Sequence, residues 1–289
     1  MGTVALALAL GVSVAARHVQ PGELVVMSIT SSRPSDNVRV RAFGTELSPF
    51  PMDEHHWRVL IGIDLAIKPG TYGVEVGGAD AHTRYDLVVR PKAFGTRRLT
   101  VNEAFVAPPA SARERIESEA ALLERTWHAS APERLWVDPF VRPVPQASNS
   151  AFGTRSIFNG RLLNPHGGAD FLSPAGTPVQ APSAGRVLVA QELYYSGNTV
   201  VIDHGLGCFS LLAHLSEMDV RQGDVVRAGQ LVGRVGATGR VTGPHLHWAV
   251  RIAGARVDPL SVLALLGAPP GLRATSAPSG RSRRVFEAR

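Results

Sequence analysis

The sequence predicts a mostly β protein: an Ig-like β-sandwich at the N-terminus, a short helical and proline-rich linker, and a C-terminal β-sheet or barrel-sandwich-like domain. Three observations carry this. Val, Ile and aromatic residues recur in short runs of strand length. Glycine (29) and proline (21) punctuate the 289 residues often enough to favour turns over long helices. A single segment has a helical hydrophobic period.

Residues 4–16 form an apolar run, too short for the ~20 residues that span a bilayer. It has the length of a signal-peptide core, with Ser13, Ala15 and Ala16 as small residues at a cleavage site. This reading makes residues 1–17 an export signal and places the protein in the periplasm or cell envelope, with no membrane span after signal removal. The alternation of Ala and Leu in the same run also suits an N-terminal strand. Residues 18–106 read as the sandwich, with strands at 23–29, 38–43, 57–63, 71–76 and 85–90 separated by turns such as Lys68-Pro69-Gly70 and Gly77-Gly78. His55 and His56 read as solvated loop residues.

Residues 107–149 read as the linker. Ser111-Ala112-Arg113-Glu114 has the pattern of a capping box, and Ile116, Ala120, Leu123 and Trp127 follow at helical spacing. Residues 150–266 form the second β region, with strands at 178–181, 186–191, 199–204, 209–214, 230–235 and 247–252. Residues 267–289, rich in Pro, Gly, Ser and Arg, read as a disordered basic tail.

The net charge is +6, which suits an anionic partner. The cations are nearly all arginine, the lysines being Lys68 and Lys92, and no nucleic-acid module pattern is present. Nucleic acid is therefore not expected as a partner. The single cysteine, Cys208, excludes an intrachain disulfide and a multi-thiolate metal site. It lies in an apolar run and reads as a small buried hydrophobe.

Two groupings carry chemistry. In Gly243-Pro244-His245-Leu246-His247-Trp248, residues two apart on a strand share a face, so His245 and His247 project together. Two adjacent imidazoles need partners, which a metal or a shared catalytic site supplies. In His166-Gly167-Gly168-Ala169-Asp170 the proline before and the glycines within disfavour a helix, and a loop entering a strand at Ala169 lets both side chains meet one point. Imidazole and carboxylate are both zinc ligands, and three protein ligands with an open fourth position is the pattern of catalytic zinc. His214 lies between the groupings. No His-Glu-x-x-His helix is present. His204, at a strand end before Gly205, reads as structural.

Residues 152–260 resemble the lysostaphin-like (LytM-type) zinc peptidases of bacterial cell walls. The resemblance rests on Asn164-Pro165-His166-Gly167-Gly168-Ala169-Asp170-Phe171, on Ala213-His214-Leu215-Ser216 and on Thr242-Gly243-Pro244-His245-Leu246-His247, with Ser150-Ala151-Phe152-Gly153-Thr154-Arg155 similar to the family's lead-in. It implies one zinc per chain bound by His166, Asp170 and His247, with His214 and His245 as catalytic histidines that do not bind the metal. It also implies an endopeptidase acting on the peptide part of peptidoglycan through a zinc-activated water. One of the two free histidines would act as general base and the other would donate to the oxyanion, in an order the residues leave open. The direct D-alanine–diaminopimelate cross-link is expected in preference to glycine bridges. The family often carries tyrosine two residues before the middle histidine, where this chain has Leu212.

Two other readings compete. The stretch 223–233 looks like a biotinyl- or lipoyl-type carrier, but no lysine follows Lys92 to accept the group. A catalytically inert wall-binding module that activates another hydrolase is the alternative; here all five positions are filled.

Overall fold

The computed structural model describes residues 10–32, 34, 37–78, 81–148 and 152–268. Residues 1–9, Ser150, Ala151 and most of the expected tail (269–289) lie outside the described residues.

The first half contains β1 (Leu10–Ala16), β2 (Leu24–Ser31), β3 (Arg39–Ala42), β4 (Thr45–Leu47), β5 (Phe50–Pro51), β6 (His56–Gly62), β7 (Gly70–Gly77) and β8 (His82–Val89). They form two four-stranded sheets, ordered β1-β2-β6-β5 and β4-β3-β7-β8. Val25, Met27 and Ile29 of β2 and Trp57, Val59 and Ile61 of β6 meet Val74, Val76 and Leu87 of the facing sheet. The stretch expected to hold the export signal contributes β1, paired along its length with β2. Leu10, Val12, Val14 and Ala16 alternate onto the sandwich core, so among the described residues the sandwich reaches back to Leu10, ahead of the expected boundary at residue 18.

β2 is apolar on both faces, the mark of a strand covered on both sides. Its second face turns toward the C-terminal domain. Leu24, Val26, Phe50 and Leu60 pack into one core with Ala169, Ile252 and Val257 of the C-terminal domain. Trp136, Phe140 and Val144 of the expected linker are buried in that same core. Polar ties reinforce the junction. Arg17 donates to Glu23 at 3.0 and 2.9 Å and to Asp258 at 2.6 Å. Arg256 donates to both oxygens of Asp64, at 2.9 and 2.7 Å.

Between the halves run β9 (Thr96–Leu99) and α1 (Arg113–Trp127). The capping box does not form: residues 110–112 take a tighter 3-10 turn, which moves the helix start to Ala112, and no side chain caps it. Leu123 and Trp127 of α1 pack on Val189, Val201 and Phe209.

The C-terminal half contains β10 (Arg155–Phe158), β11 (Arg161–Leu162), β12 (Gly168–Phe171), β13 (Pro178–Gln180), β14 (Gly185–Leu193), β15 (Gly197–Asp203), β16 (Cys208–Met218), β17 (Val225–Val226), β18 (Leu231–Val235), β19 (Leu246–Ile252), β20 (Ala255–Val257) and α2 (Pro259–Leu266). A nine-stranded sheet follows the order β12-β19-β16-β15-β14-β17, with β18 paired to β13 and β16 and β20 paired to β19. The path does not close into a barrel. β9 adds in parallel to β10, which places the segment after the sandwich beside the loop carrying His166. No helix among the described residues is long and apolar enough to cross a membrane.

Candidate metal centre

Asp170 of β12 and His247 of β19 are direct partners in the antiparallel register, so both side chains leave the same face of the sheet. His166 arrives from the preceding loop, its backbone N–H donating to Thr154 O at 2.9 Å and its carbonyl accepting from Gly153 N at 2.7 Å. The loop entering a strand at this point matches the expectation from the glycines. Gly168 is required by close approach: a Cβ there would stand 2.5 Å from Trp248 O and 2.7 Å from the His247 ring.

His166, Asp170 and His247 thus converge, with one donor atom from each lying within 4.8 Å of the others. Asp170 Oδ1 is 3.0 Å from His166 Nε2 and 2.9 Å from His247 Nδ1, and the two imidazole nitrogens are 2.9 Å apart. Burial alone would raise the Asp170 carboxyl, but the contacts with His166 and His247 outweigh it and hold the group well below the usual carboxylate range. Arg97 Nη1, 3.6 Å from Asp170 Oδ2, lies on the outer side of the carboxylate. Two imidazole nitrogens from half-buried histidines and one oxygen of the buried carboxylate make a donor set that fits a divalent metal with an open position.

His214 and His245 sit beside this cluster. Their ring centroids are 4.9 Å apart, and His214 lies 5.9 Å from His247. His214 is brought there by a β-bulge. Asn198 faces Leu215 and Val200 faces Leu212, so Thr199 alone opposes Ala213 and His214. His214 takes a left-handed backbone, φ 65°, with its N–H donating to Ser196 O at 2.8 Å. Its Nδ1 lies 2.8 Å from the Thr238 carbonyl, and His245 Nδ1 lies 2.8 Å from the Gly243 carbonyl. A carbonyl only accepts, so each Nδ1 carries a proton and each ring turns its Nε2 away from that carbonyl, with His245 Nε2 3.9 Å from Asp170 Oδ1. Burial, and then the neighbouring His247 and His245, push the His214 pKa down to about 3.

The remaining sequence readings find their places. His204 is fully buried, with Nδ1 donating to Ala184 O at 2.8 Å and Nε2 2.9 Å from Ser210 Oγ, a structural histidine as expected. His56 is exposed and pairs with Asp53, 2.7 Å away, whereas His55 is half-buried rather than solvated, its Nδ1 3.0 Å from the Ser31 carbonyl. Cys208 is buried, which raises its thiol pKa. Sequence reasoning did not find Arg97, Ser196 or Thr238; none carries a local signal, because each acts through a partner distant in sequence.

A groove of about 560 Å³ runs over the cluster, and all five residues line it. A family model described as peptidase family M23 matches residues 164–259, the stretch that holds them. The crystal structure of a peptidase M23 from Pseudomonas aeruginosa aligns over 86% of this chain and 96% of its own, with 32% identity and a TM-score of 0.69. The chain belongs to peptidase family M23. Among curated proteins, the peptidoglycan DD-endopeptidase ShyB of Vibrio cholerae is 41% identical over 99 residues, 34% of this chain and 23% of ShyB. The DD-carboxypeptidase/endopeptidase Mpg of Neisseria meningitidis is 46% identical over 97 residues, 34% of this chain and 22% of Mpg. The matched stretch spans less than a quarter of these relatives' length. The sandwich and α1 lie outside the M23 match.

Proposed function

We propose that this chain is a zinc-dependent endopeptidase that hydrolyses amide bonds in the peptide stems or cross-links of peptidoglycan, acting in the periplasm or cell envelope. The observation that carries the reading is the joint arrangement of His166, Asp170 and His247 with two further imidazoles, each tethered through Nδ1 to a backbone carbonyl. The naming of M23 relatives as peptidoglycan DD-endopeptidases supports the substrate class. His166, Asp170 and His247 would hold the zinc. When bound, zinc supplies Lewis acidity and makes water a nucleophile at neutral pH.

The chain's own residues supply the rest. Arg97 and the sheet register hold Asp170 in place as an anion. Thr238 and Gly243 fix the tautomers of His214 and His245, so either Nε2 can accept the proton of the attacking water. The ring that takes this proton then carries an Nε2–H to donate to the developing oxyanion or the leaving amine. Glycan hydrolysis relies instead on a pair of carboxyl groups flanking the bond, and among the described residues Asp170 is the one acidic residue lining this groove. Digestion of purified sacculi, with the fragments identified by mass spectrometry, tests the reading. Stem peptides freed of cross-links on intact disaccharides are expected. Sugar fragments with intact cross-links would refute it.

A further inference from the structure

Arg240 lines the groove beside the metal ligands. Arg240 sits on the turn between β18 and β19, after Thr238, which fixes His214, and before His245. Its guanidinium lies 4.8 Å from the Tyr195 ring centroid and 5.2 Å from that of Phe158, two rings brought together from separate segments. Its backbone N–H donates to Tyr195 O at 2.8 Å, which fixes the base of the side chain. Among the described residues no carboxylate pairs with Arg240. Arg17 and Arg256, partly buried where the sandwich meets the C-terminal domain, are each matched to acids, and Arg251, which also lines the groove without a carboxylate partner among the described residues, donates its Nη1 to the Gly254 carbonyl at 2.8 Å. The acid of the groove, Asp170, is already engaged by His166, His247 and Arg97. Burial pushes the Arg240 pKa down, the sign of a desolvated charge without a counter-ion. Stacking on two rings holds the plane of the guanidinium but leaves its N–H donors unused.

We propose that Arg240 is a specificity residue that reads a free carboxylate on the residue flanking the scissile amide. This rests on the peptidase reading above and names the substrate class within it. A planar guanidinium pinned by two rings is preorganised for bidentate contact with a carboxylate. The substrate it selects is an amide whose amine-side residue keeps its α-carboxylate free beside the scissile nitrogen. A branched cross-link ending in such a residue has this group. A run of glycines continuing through the next peptide bond does not.

The experiment uses the full chain loaded with zinc and two synthetic cross-linked peptides, identical except that the carboxylate beside the scissile nitrogen is a free acid in one and a carboxamide in the other. The wild-type protein is expected to favour the acid in kcat/KM by about 10- to 100-fold, the scale of a charge-assisted hydrogen-bonded pair. Arg240→Gln should erase that preference, chiefly through a raised KM on the acid, and Arg240→Lys should retain a reduced part of it. Equal wild-type rates on the two peptides, alongside digestion of sacculi, would overturn the Arg240 assignment alone. So would an Arg240→Gln variant that slows both peptides by the same factor. Failure of the wild-type protein on both peptides and on sacculi would overturn the peptidase reading and the assignment with it.

Discussion

His166, Asp170 and His247 share one point, whereas His214 and His245 are each tethered to a backbone carbonyl through Nδ1. Replacing the two kinds of residue should therefore have different consequences. His166→Ala, Asp170→Ala or His247→Ala is expected to release the metal, read by elemental analysis of protein purified without chelators. His214→Ala or His245→Ala is expected to keep the metal and lose about 10²- to 10⁴-fold in kcat, the usual contribution of an acid–base group. Metal loss from either of these would show the division of roles to be wrong. The division was visible in the sequence only through family resemblance. The convergence of His245 with His247 followed from strand alternation, and that of His166 with Asp170 from the glycines between them. What the sequence hid was the support beneath. Thr238 Oγ1 accepts from Asn198 N at 2.9 Å and donates to Leu215 O at 2.8 Å, linking three segments that no periodicity connects. Thr238→Ala should lower stability by about 1–2 kcal/mol in chemical denaturation, by loss of those bonds, and should slow turnover through the His214 it positions.

Among the elements, β12 and β19 matter most, because their pairing aligns Asp170 with His247. Gly168 opens β12 where the His247 ring passes over it, and an added Cβ would meet backbone as well as ring. Backbone atoms cannot swing aside as a flexible side chain does, so Gly168→Ala is expected to cost about 2–4 kcal/mol and to weaken metal binding. A Gly168→Ala protein that melts and binds metal like the wild type would contradict the register argument. The long strands were legible because their apolar runs are self-contained. β14 to β16, β18 and β19 appear within a few residues of where Val and Ile enrichment puts them. β9 and β10 were not legible. Their pairing joins Thr96–Leu99 to Arg155–Phe158 across the whole of α1, and neither stretch has the alternation of a half-buried strand. α1 itself was legible from its apolar spacing, while its start was not, because the 3-10 turn before it used up the residues of the apparent capping box.

At the scale of the whole molecule, the sandwich and the M23 domain share one apolar core and a band of buried ion pairs, a union the sequence concealed because contacts between distant segments leave no periodic trace. The ion pairs give the junction a pH signature. Burial would raise the Asp64 carboxyl, but hydrogen bonds from the Arg256 side chain and backbone outweigh it and lower the pKa from 3.8 to about 2. A depressed carboxyl stabilises the fold above its unfolded pKa, so this contribution is complete near pH 5 and disappears as pH falls from about 4 through about 2. Asp64→Asn should therefore cost on the order of 2 kcal/mol at pH 7 and almost nothing near pH 2, measured by chemical denaturation at each pH. The same union sets the fate of a truncated chain. Removing everything before Pro139 would uncover Ala169, Ile252 and Val257 where Leu24, Val26 and Leu60 now cover them. It would also leave Asp258 without Arg17 and β10 without β9. Uncovered apolar surface costs ~25 cal/mol per Å², against the ~5–15 kcal/mol by which a domain is usually stable. The truncated chain is therefore expected to aggregate or to melt far below the full chain, and to bind metal weakly because β10 and the loop before His166 lose their neighbour. A soluble, cooperatively melting fragment with full metal affinity would mean that the M23 domain folds alone and that the shared core is only a docking face.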